Sequence, residues 1–168
     1  MPSDPRDIET TGPDPIEAAG NGRGSDGAPS KAVCLLWYRL SDLHWRTLAV
    51  VAPGNGPGAW RIAQALVEVS EARPRLLKAV NAIDASMERV AAVAHVLSPK
   101  KLVAAADRTR FVVAADSPLE NPAAIGLLCT CDAVVLVLER RRTRIPDAQR
   151  ILELVGPERF IGAVLGPA

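Results

Sequence analysis

The feature that most constrains the fold is an apolar run followed by a glycine-rich turn and an amphipathic segment. Residues 47–52 read Thr-Leu-Ala-Val-Val-Ala, residues 53–58 contain three glycines and two prolines, and residues 58–70 repeat apolar side chains at helical spacing. A nearly continuous apolar run is typical of a strand that a parallel sheet covers on both faces. The sequence therefore predicts a buried strand, a tight turn and a helix in this order.

A strand, a glycine-rich turn and a helix also make up a phosphate-binding loop, in which backbone N–H groups and a helix N-terminus hold an anion. The working motif places a lysine and then a serine or threonine after its second glycine. Here Pro57 stands in the lysine position and Gly58 in the hydroxyl position. Gly54, Asn55, Gly56 and Gly58 are therefore predicted to form a vestigial nucleotide-binding loop, and the alternative is a turn that only shapes the fold.

The composition limits the class of protein and its compartment. A chain of 168 residues that is 48% hydrophobic suits one domain with a core, and a net charge of +1 argues against nucleic-acid binding through phosphate neutralisation. No apolar run is long enough to span a membrane, and no secretory signal is visible. Three cysteines without a framework spacing are typical of a reducing compartment. We therefore predict a cytoplasmic protein that binds no nucleic acid.

Residues 1–30 differ in composition from the rest of the chain. They hold repeated proline and glycine, few large apolar residues and an acidic excess, which is typical of a segment that buries too little apolar surface to fold. The prediction is a disordered leader over residues 1–30 and a single α/β domain over residues 31–168. A short docking segment is the alternative for the leader.

Strand-like and helix-like segments alternate along the chain. Apolar runs predict three further strands, at residues 110–116, 133–138 and 160–165. Helices are predicted at residues 32–45, 76–97 (as one helix or two), 99–107, 121–128 and 146–155. This alternation favours a parallel sheet with helices on both faces. The aromatic residues within 32–45 leave a second interpretation open, a face that binds a partner.

Four segments of the second half resemble one family. Residues 111–118 are similar to the strand and Asp-x-Pro turn of bacterial tyrosine kinases that regulate capsule and exopolysaccharide export, a family within the P-loop ATPases that include the ParA and MinD proteins. Residues 131–137, 142–144 and 160–165 are similar to that family's next strand, basic turn and last strand. The resemblance covers residues 97–166 well and 46–66 loosely. It implies a P-loop NTPase-like α/β fold.

The family's catalytic residues are matched at one position. Asp116 aligns with the acidic residue that helps to hold Mg²⁺, whereas the loop lysine and hydroxyl are missing and the only tyrosine is Tyr38. A second aspartate-bearing strand is not evident, because Asp84 lies in a helical pattern. One carboxylate cannot organise phosphoryl transfer, which depends on positioning and charge neutralisation. The resemblance therefore implies a degenerate or truncated member, with Asp116 in the vestigial site and no cofactor.

The function that this resemblance implies is non-catalytic. The chain is predicted to serve exopolysaccharide or capsule biosynthesis or export by binding a membrane polysaccharide co-polymerase or a related kinase, and to reach the inner membrane only through that partner. One alternative is a weak ATPase or tyrosine-kinase-like enzyme that binds ATP and Mg²⁺ through a non-standard loop. The second alternative is a positioning protein of the ParA/MinD type. A homo-oligomer is compatible with all three.

Two smaller clusters complete the candidate sites. A basic turn follows the strand predicted at residues 133–138 and is formed by Arg140, Arg141, Arg142 and Arg144. It is either a solvated turn or a contact for an acidic partner or a phosphate. Cys129 and Cys131, with the distant Cys34, lack the four-ligand spacing of a zinc site, so no metal is predicted.

Overall fold

The run predicted as the first strand is the central strand of a parallel sheet. The computed structural model describes residues 30–54, 56–73, 80–86, 89–97 and 109–166. The described residues form five strands, β1 (Thr47–Val51), β2 (Val80–Ala85), β3 (Arg110–Ala115), β4 (Ala133–Glu139) and β5 (Phe160–Gly166). They lie in the order β2-β3-β1-β4-β5, and every neighbouring pair is parallel. The described helices are α1 (Lys31–Ser41), α2 (Gly58–Ala72), α3 (Arg89–Val96), α4 (Ala123–Thr130), α5 (Ile145–Val155) and a short 3₁₀ helix, Pro157–Arg159.

Alternating side chains of β1 enter two separate hydrophobic cores. Leu48 and Val50 belong to the core in which α1 and α2 pack, whereas Ala49 and Val51 belong to the core in which α3, α4 and α5 pack. All of the β1 residues are buried. A strand with helices on both sides has no solvent face, which is why the run shows no polar alternation. The predicted fold, a parallel sheet with helices on both faces, is confirmed.

The helix predicted within residues 32–45 is present as α1, and aromatic residues anchor it. Trp37 is fully buried in the core beneath α1 and α2. The Trp45 indole N–H, just beyond the helix, donates to the Leu40 carbonyl oxygen at 2.9 Å. Ser30 caps the helix, because its hydroxyl accepts from the Val33 N–H at 3.3 Å. Two of the aromatic residues in this segment therefore serve the core.

The helical prediction for residues 76–97 is wrong at residues 80–85, whereas residues 89–96 are helical as predicted. Residues 80–85 form β2, which pairs with β3 at the edge of the sheet, and α3 begins only at Arg89. In β2, Val80 and Ala85 are buried, while the residues between them are half-buried or exposed. In so short a segment, this pattern fits a strand as well as a helix. The segment is a strand because it pairs with β3, which is distant in sequence.

The other predicted helices lie where the sequence placed them, as far as the structure describes them. The helices α2, α4 and α5 correspond to the segments predicted at residues 58–70, 121–128 and 146–155. Two predictions fall outside the described residues, namely the helix at 99–107 and the leader, of which only Ser30 is described. Across the described ranges, no helix is both long enough and apolar enough to cross a membrane.

Asp132 joins the amino ends of β1 and β4. Its Oδ2 accepts from the N–H groups of Arg46 and Thr47 at 2.8 and 2.9 Å and from the Thr47 hydroxyl at 3.0 Å. The Asp132 N–H in turn donates to the Thr47 carbonyl at 3.0 Å. This aspartate belongs to a segment that carries the family resemblance, yet it lies at the edge of the sheet opposite to the glycine-rich turn. Its role is therefore to hold the two strands together.

Candidate functional site

The β1–α2 loop, residues 53–58, lies at the carboxyl edge of the sheet, where open α/β sheets form their ligand sites. The Gly56 N–H donates to the Gly54 carbonyl at 2.9 Å, and α2 begins at Gly58 with Pro57 as an N-cap that offers no side-chain hydrogen bond. The N–H groups in the first turn of any helix lack intrahelical acceptors and favour an anion. The Gly56 N–H is thus used within the loop, Pro57 has no N–H, and the N-terminus of α2 is what the described loop offers to an anion. Asn55 lies outside the described residues.

The structure places Asp116 beside this loop. The adjacent Ser117 is buried, and its hydroxyl donates to the Pro53 carbonyl at 2.8 Å. The Asp116 carboxylate accepts from the side-chain amide of Asn121 at 3.3 Å. The turn after β3 therefore holds the loop against the end of that strand and brings Asp116 next to Gly54 and Gly56, with which it lines one cleft.

A second carboxylate, Asp84, belongs to the same place although sequence reasoning did not put it there. It lies near the end of β2, opposite Ala114 of β3 in the ladder. A cleft of about 300 Å³ is lined by Asp84 and Asp116 together with Trp60 and part of the β1–α2 loop. The helical interpretation of residues 76–97 hides this placement. The available signal is an acidic residue near the end of a short, largely apolar segment that follows α2.

Asp84 is held by local contacts. Its Oδ1 accepts from the Ser86 N–H at 3.1 Å, and its Oδ2 lies 3.4 Å from the Arg89 guanidinium. The Arg89 side chain is 70% exposed, so solvent screens this ion pair and it stabilises the fold little. Among the described residues that line the cleft there are two aspartates and no lysine or arginine. The cleft is therefore acidic.

Glu139, at the end of β4, reaches the loop from the other side. A Cβ at Gly58 would overlap Glu139 Oε1 and lie 3.0 Å from its Cδ, and a Cβ at Gly56 would lie 3.2 Å from Oε1. The Glu139 side chain is 11% exposed, and its Oε2 is 3.7 Å from the Arg142 guanidinium. Glycine at both loop positions leaves room for this carboxylate. Sequence reasoning missed Glu139, and the available signal was an acid that ends a long apolar strand.

A second cleft, of about 290 Å³, lies on this side of the loop. Its charged lining residues are Glu120, Glu139, Asp147 and Arg142. The described residues of the two clefts thus carry five carboxylates, two in the first and three in the second, against one guanidinium. Like charges repel a polyanion such as a triphosphate, and the lysine that would offset this repulsion is missing.

The four arginines predicted as contacts lie in an exposed turn between β4 and α5. Arg140, Arg141, Arg142 and Arg144 are all exposed, and of these four only Arg142 lines the second cleft. The turn is held by the Glu139 carbonyl, which accepts from the N–H groups of Arg142 and Thr143 at 3.2 and 3.0 Å. Arg141 has a φ of 65°, a left-handed conformation that glycine adopts at lower cost. Contact with an acidic partner or a phosphate stays a prediction.

The cysteines lie away from both clefts. Burial, together with the neighbouring charge of Asp132, raises the pKa of the Cys131 thiol to about 12. A thiol that stays protonated at neutral pH is a poor nucleophile and a poor metal ligand. Among the residues that the structure describes, no group of three or more histidine, cysteine, aspartate or glutamate side chains could hold a metal ion.

Comparison with known proteins agrees with the fold. The crystal structure of the VpsO kinase domain superposes on this chain with a TM-score of 0.62 and 16% sequence identity, and the match covers 82% of this chain and 93% of that domain. At this identity the likeness concerns the fold. No protein-family model matches the sequence, and no curated protein matches it.

Proposed function

We propose that this chain is a non-catalytic, P-loop-like protein of exopolysaccharide or capsule biosynthesis or export, which acts by binding a membrane polysaccharide co-polymerase or a related kinase. The observation that carries the proposal is the β1–α2 loop. It joins the central strand to the N-terminus of α2, but Pro57 and Gly58 stand where a working loop has the lysine and the hydroxyl, and the Glu139 carboxylate lies against it. Phosphoryl transfer needs cations around the phosphates, and this loop offers a carboxylate instead.

Two independent lines support a relation to kinases of this kind. The segments within residues 97–166 resemble the bacterial tyrosine kinases of polysaccharide export, and the fold is shared with the kinase domain of VpsO. The fold likeness alone says nothing of the polymer or the partner. The polysaccharide context of the proposal therefore rests on the sequence resemblance, and the non-catalytic role rests on the loop.

The basic turn is the surface that we assign to the partner. Its four arginines are exposed within residues 140–144, and three of them line neither of the two clefts. Exposed charges of one sign steer association with a partner of opposite sign and set its specificity more than its affinity. An acidic segment on the inner-membrane side of the co-polymerase is the complementary chemistry.

A titration of the full chain with ATP and ADP in the presence of Mg²⁺, by calorimetry and thermal shift, tests the loss of nucleotide binding. A ligand present at 100 times its dissociation constant stabilises a fold by about 2.7 kcal/mol, which gives a clear melting shift. We expect neither heat nor a shift at millimolar nucleotide. A saturable, Mg²⁺-dependent shift would contradict the non-catalytic proposal.

Affinity purification of the tagged chain from membranes of its own host, after crosslinking, tests the partner. We expect recovery of a membrane protein of polysaccharide assembly, and reduced recovery with the charge-reversed variant Arg140→Glu/Arg144→Glu. The matched control is Arg150→Glu on α5, an exposed arginine outside the turn that pairs with Glu153 at 2.9 Å. Absence of any such membrane protein from the wild-type sample would contradict the proposal, as would equal losses in both variants.

One observation favours a second candidate, a weak ATPase. Asp84 and Asp116 lie at the carboxyl ends of neighbouring strands and line one cleft beside the loop, and paired carboxylates suit Mg²⁺. The nearby Arg61 or the basic turn would have to replace the lost lysine. A Mg²⁺-dependent ATPase rate that falls in both Asp84→Asn and Asp116→Asn would support this enzyme. Equal rates in wild type and both variants would exclude it.

A further inference from the structure

We propose that Glu139 is the built-in anion of the β1–α2 loop: its carboxylate takes the place of a bound phosphate and keeps phosphate-bearing ligands out. The proposal goes beyond the loss of the lysine and the hydroxyl, because it assigns the exclusion to a residue on a different strand. It also does not depend on the partner proposed above.

The contact between Glu139 and the loop is specific to the helical end of the loop. A Cβ at Gly58 would overlap Oε1 and lie 3.3 Å from Cγ, and a Cβ at Gly56 would lie 3.4 Å from Oε2. A Cβ at Gly54, at the strand end of the same loop, would meet nothing within 4 Å. The carboxylate thus lies against the first residue of α2, at the end of the loop where an anion would meet the helix N-terminus.

The burial of Glu139 requires a source of positive potential. Glutamate side chains are almost never strongly buried unless they are paired, and this side chain is only 11% exposed. Its ion-pair partner Arg142 is 3.7 Å away and 68% exposed, so solvent weakens that pair. The N-terminus of α2, a helix of 15 residues with no acidic residue in its first turn, carries a partial positive charge. The positive end of this helix is therefore the source of potential that we assign to the Glu139 carboxylate.

The backbone holds Glu139 in place without help from its side chain. The Glu139 N–H donates to the Thr143 hydroxyl at 2.8 Å, and the Glu139 carbonyl accepts from the Thr143 N–H at 3.0 Å. Both bonds survive when the side chain is shortened or neutralised. Variants at position 139 should consequently fold and change only what lies on the loop.

Calorimetric titration of the full chain with inorganic pyrophosphate, without added metal, tests the proposal. The variants are Glu139→Ala, which removes both the charge and the volume, and Glu139→Gln, which removes the charge alone. The matched control is Glu153→Ala on α5, which removes an exposed carboxylate far along the helix from the loop. We expect Glu139→Ala to bind pyrophosphate about tenfold or more tightly than wild type, as removal of a unit charge beside a helix N-terminus allows.

The order of pyrophosphate affinities among the variants decides the test. Glu139→Gln should fall between wild type and Glu139→Ala, and Glu153→Ala should match wild type. Two results overturn the proposal: no tightening in either Glu139 variant, or the same tightening in Glu153→Ala, which would mean that overall charge is responsible. If Glu139→Ala fails to fold, Glu139→Gln alone decides. A negative pyrophosphate titration would not affect the partner proposal. Equally, failure to recover a membrane partner would not affect the conclusion about Glu139.

Discussion

At the scale of single residues, Gly58 and Glu139 depend on each other. A methyl group at position 58 would overlap the end of the Glu139 side chain, which has to move aside, so we expect Gly58→Ala to lower the free energy of unfolding by about 1 kcal/mol, the lower end of the cost of overpacking. Gly126 in α4 provides the matched control, because a Cβ there would meet nothing within 4 Å. Alanine at that helical position should stabilise by about 0.5–1 kcal/mol. Urea denaturation of both variants measures the difference.

A double-variant cycle isolates the contact. In a Glu139→Ala background, the cost of Gly58→Ala should largely disappear, because the group that the new methyl meets is gone. An unchanged cost in that background would show that the backbone at position 58, rather than Glu139, requires glycine.

Cys131 makes the free energy of unfolding fall as the pH rises through the alkaline range. Burial raises its pKa from 9.0 to about 12, so between these values the unfolded chain loses a proton that the folded chain keeps. Stability from this group is complete below pH 9 and falls by about 1.4 kcal/mol per pH unit as the pH rises through the window. Denaturation curves of wild type and Cys131→Ala, measured across the window, should therefore converge as pH increases. Parallel curves would contradict the shift.

At the scale of elements, the sequence predicted the strands and helices whose signal is local, and it missed the strand that is defined by pairing with a distant segment. The apolar runs of β1, β3 and β4 and the stripe of α2 are local signals, and they predicted these elements and, at the end of β3, the position of Asp116. The segment of β2 carries no comparable signal, because its hydrogen bonds come from β3. The sequence therefore did not predict Asp84 as a residue of the site. Glu139 was missed for a similar reason, since its contact with Gly58 joins residues far apart in the sequence.

The contact between Glu139 and Gly58 also predicts what happens when the missing lysine and hydroxyl are put back into the loop. Restoring the lysine and hydroxyl with Pro57→Lys/Gly58→Ser puts the new serine side chain against the Glu139 carboxylate, which stays beside the loop as a negative charge. We expect this double variant to bind ATP and Mg²⁺ no better than wild type, and the triple variant with Glu139→Ala to bind at least about tenfold tighter, a difference of about 1.4 kcal/mol. Calorimetry at one salt concentration compares the two. Equal affinities would mean that Glu139 does not obstruct the loop.

At the scale of the whole molecule, the sheet is unevenly protected from solvent, and this predicts the order in which its strands open. Every residue of central β1 is buried, and the strand pairs with β3 on one side and β4 on the other, whereas β2 pairs with β3 alone among the described strands and has half-buried or exposed residues. Regions with fewer buried contacts open at lower free energy than the core. Native-state hydrogen exchange should therefore show β1 amides exchanging only through global unfolding and β2 amides through a smaller opening. Because Asp84 lies on β2 and Asp116 directly follows β3, that opening would separate the two carboxylates of the first cleft. A metal ion that bridged them would slow β2 exchange, so unchanged β2 exchange on addition of Mg²⁺ is the expected result for a non-catalytic protein, and marked slowing would favour the enzyme.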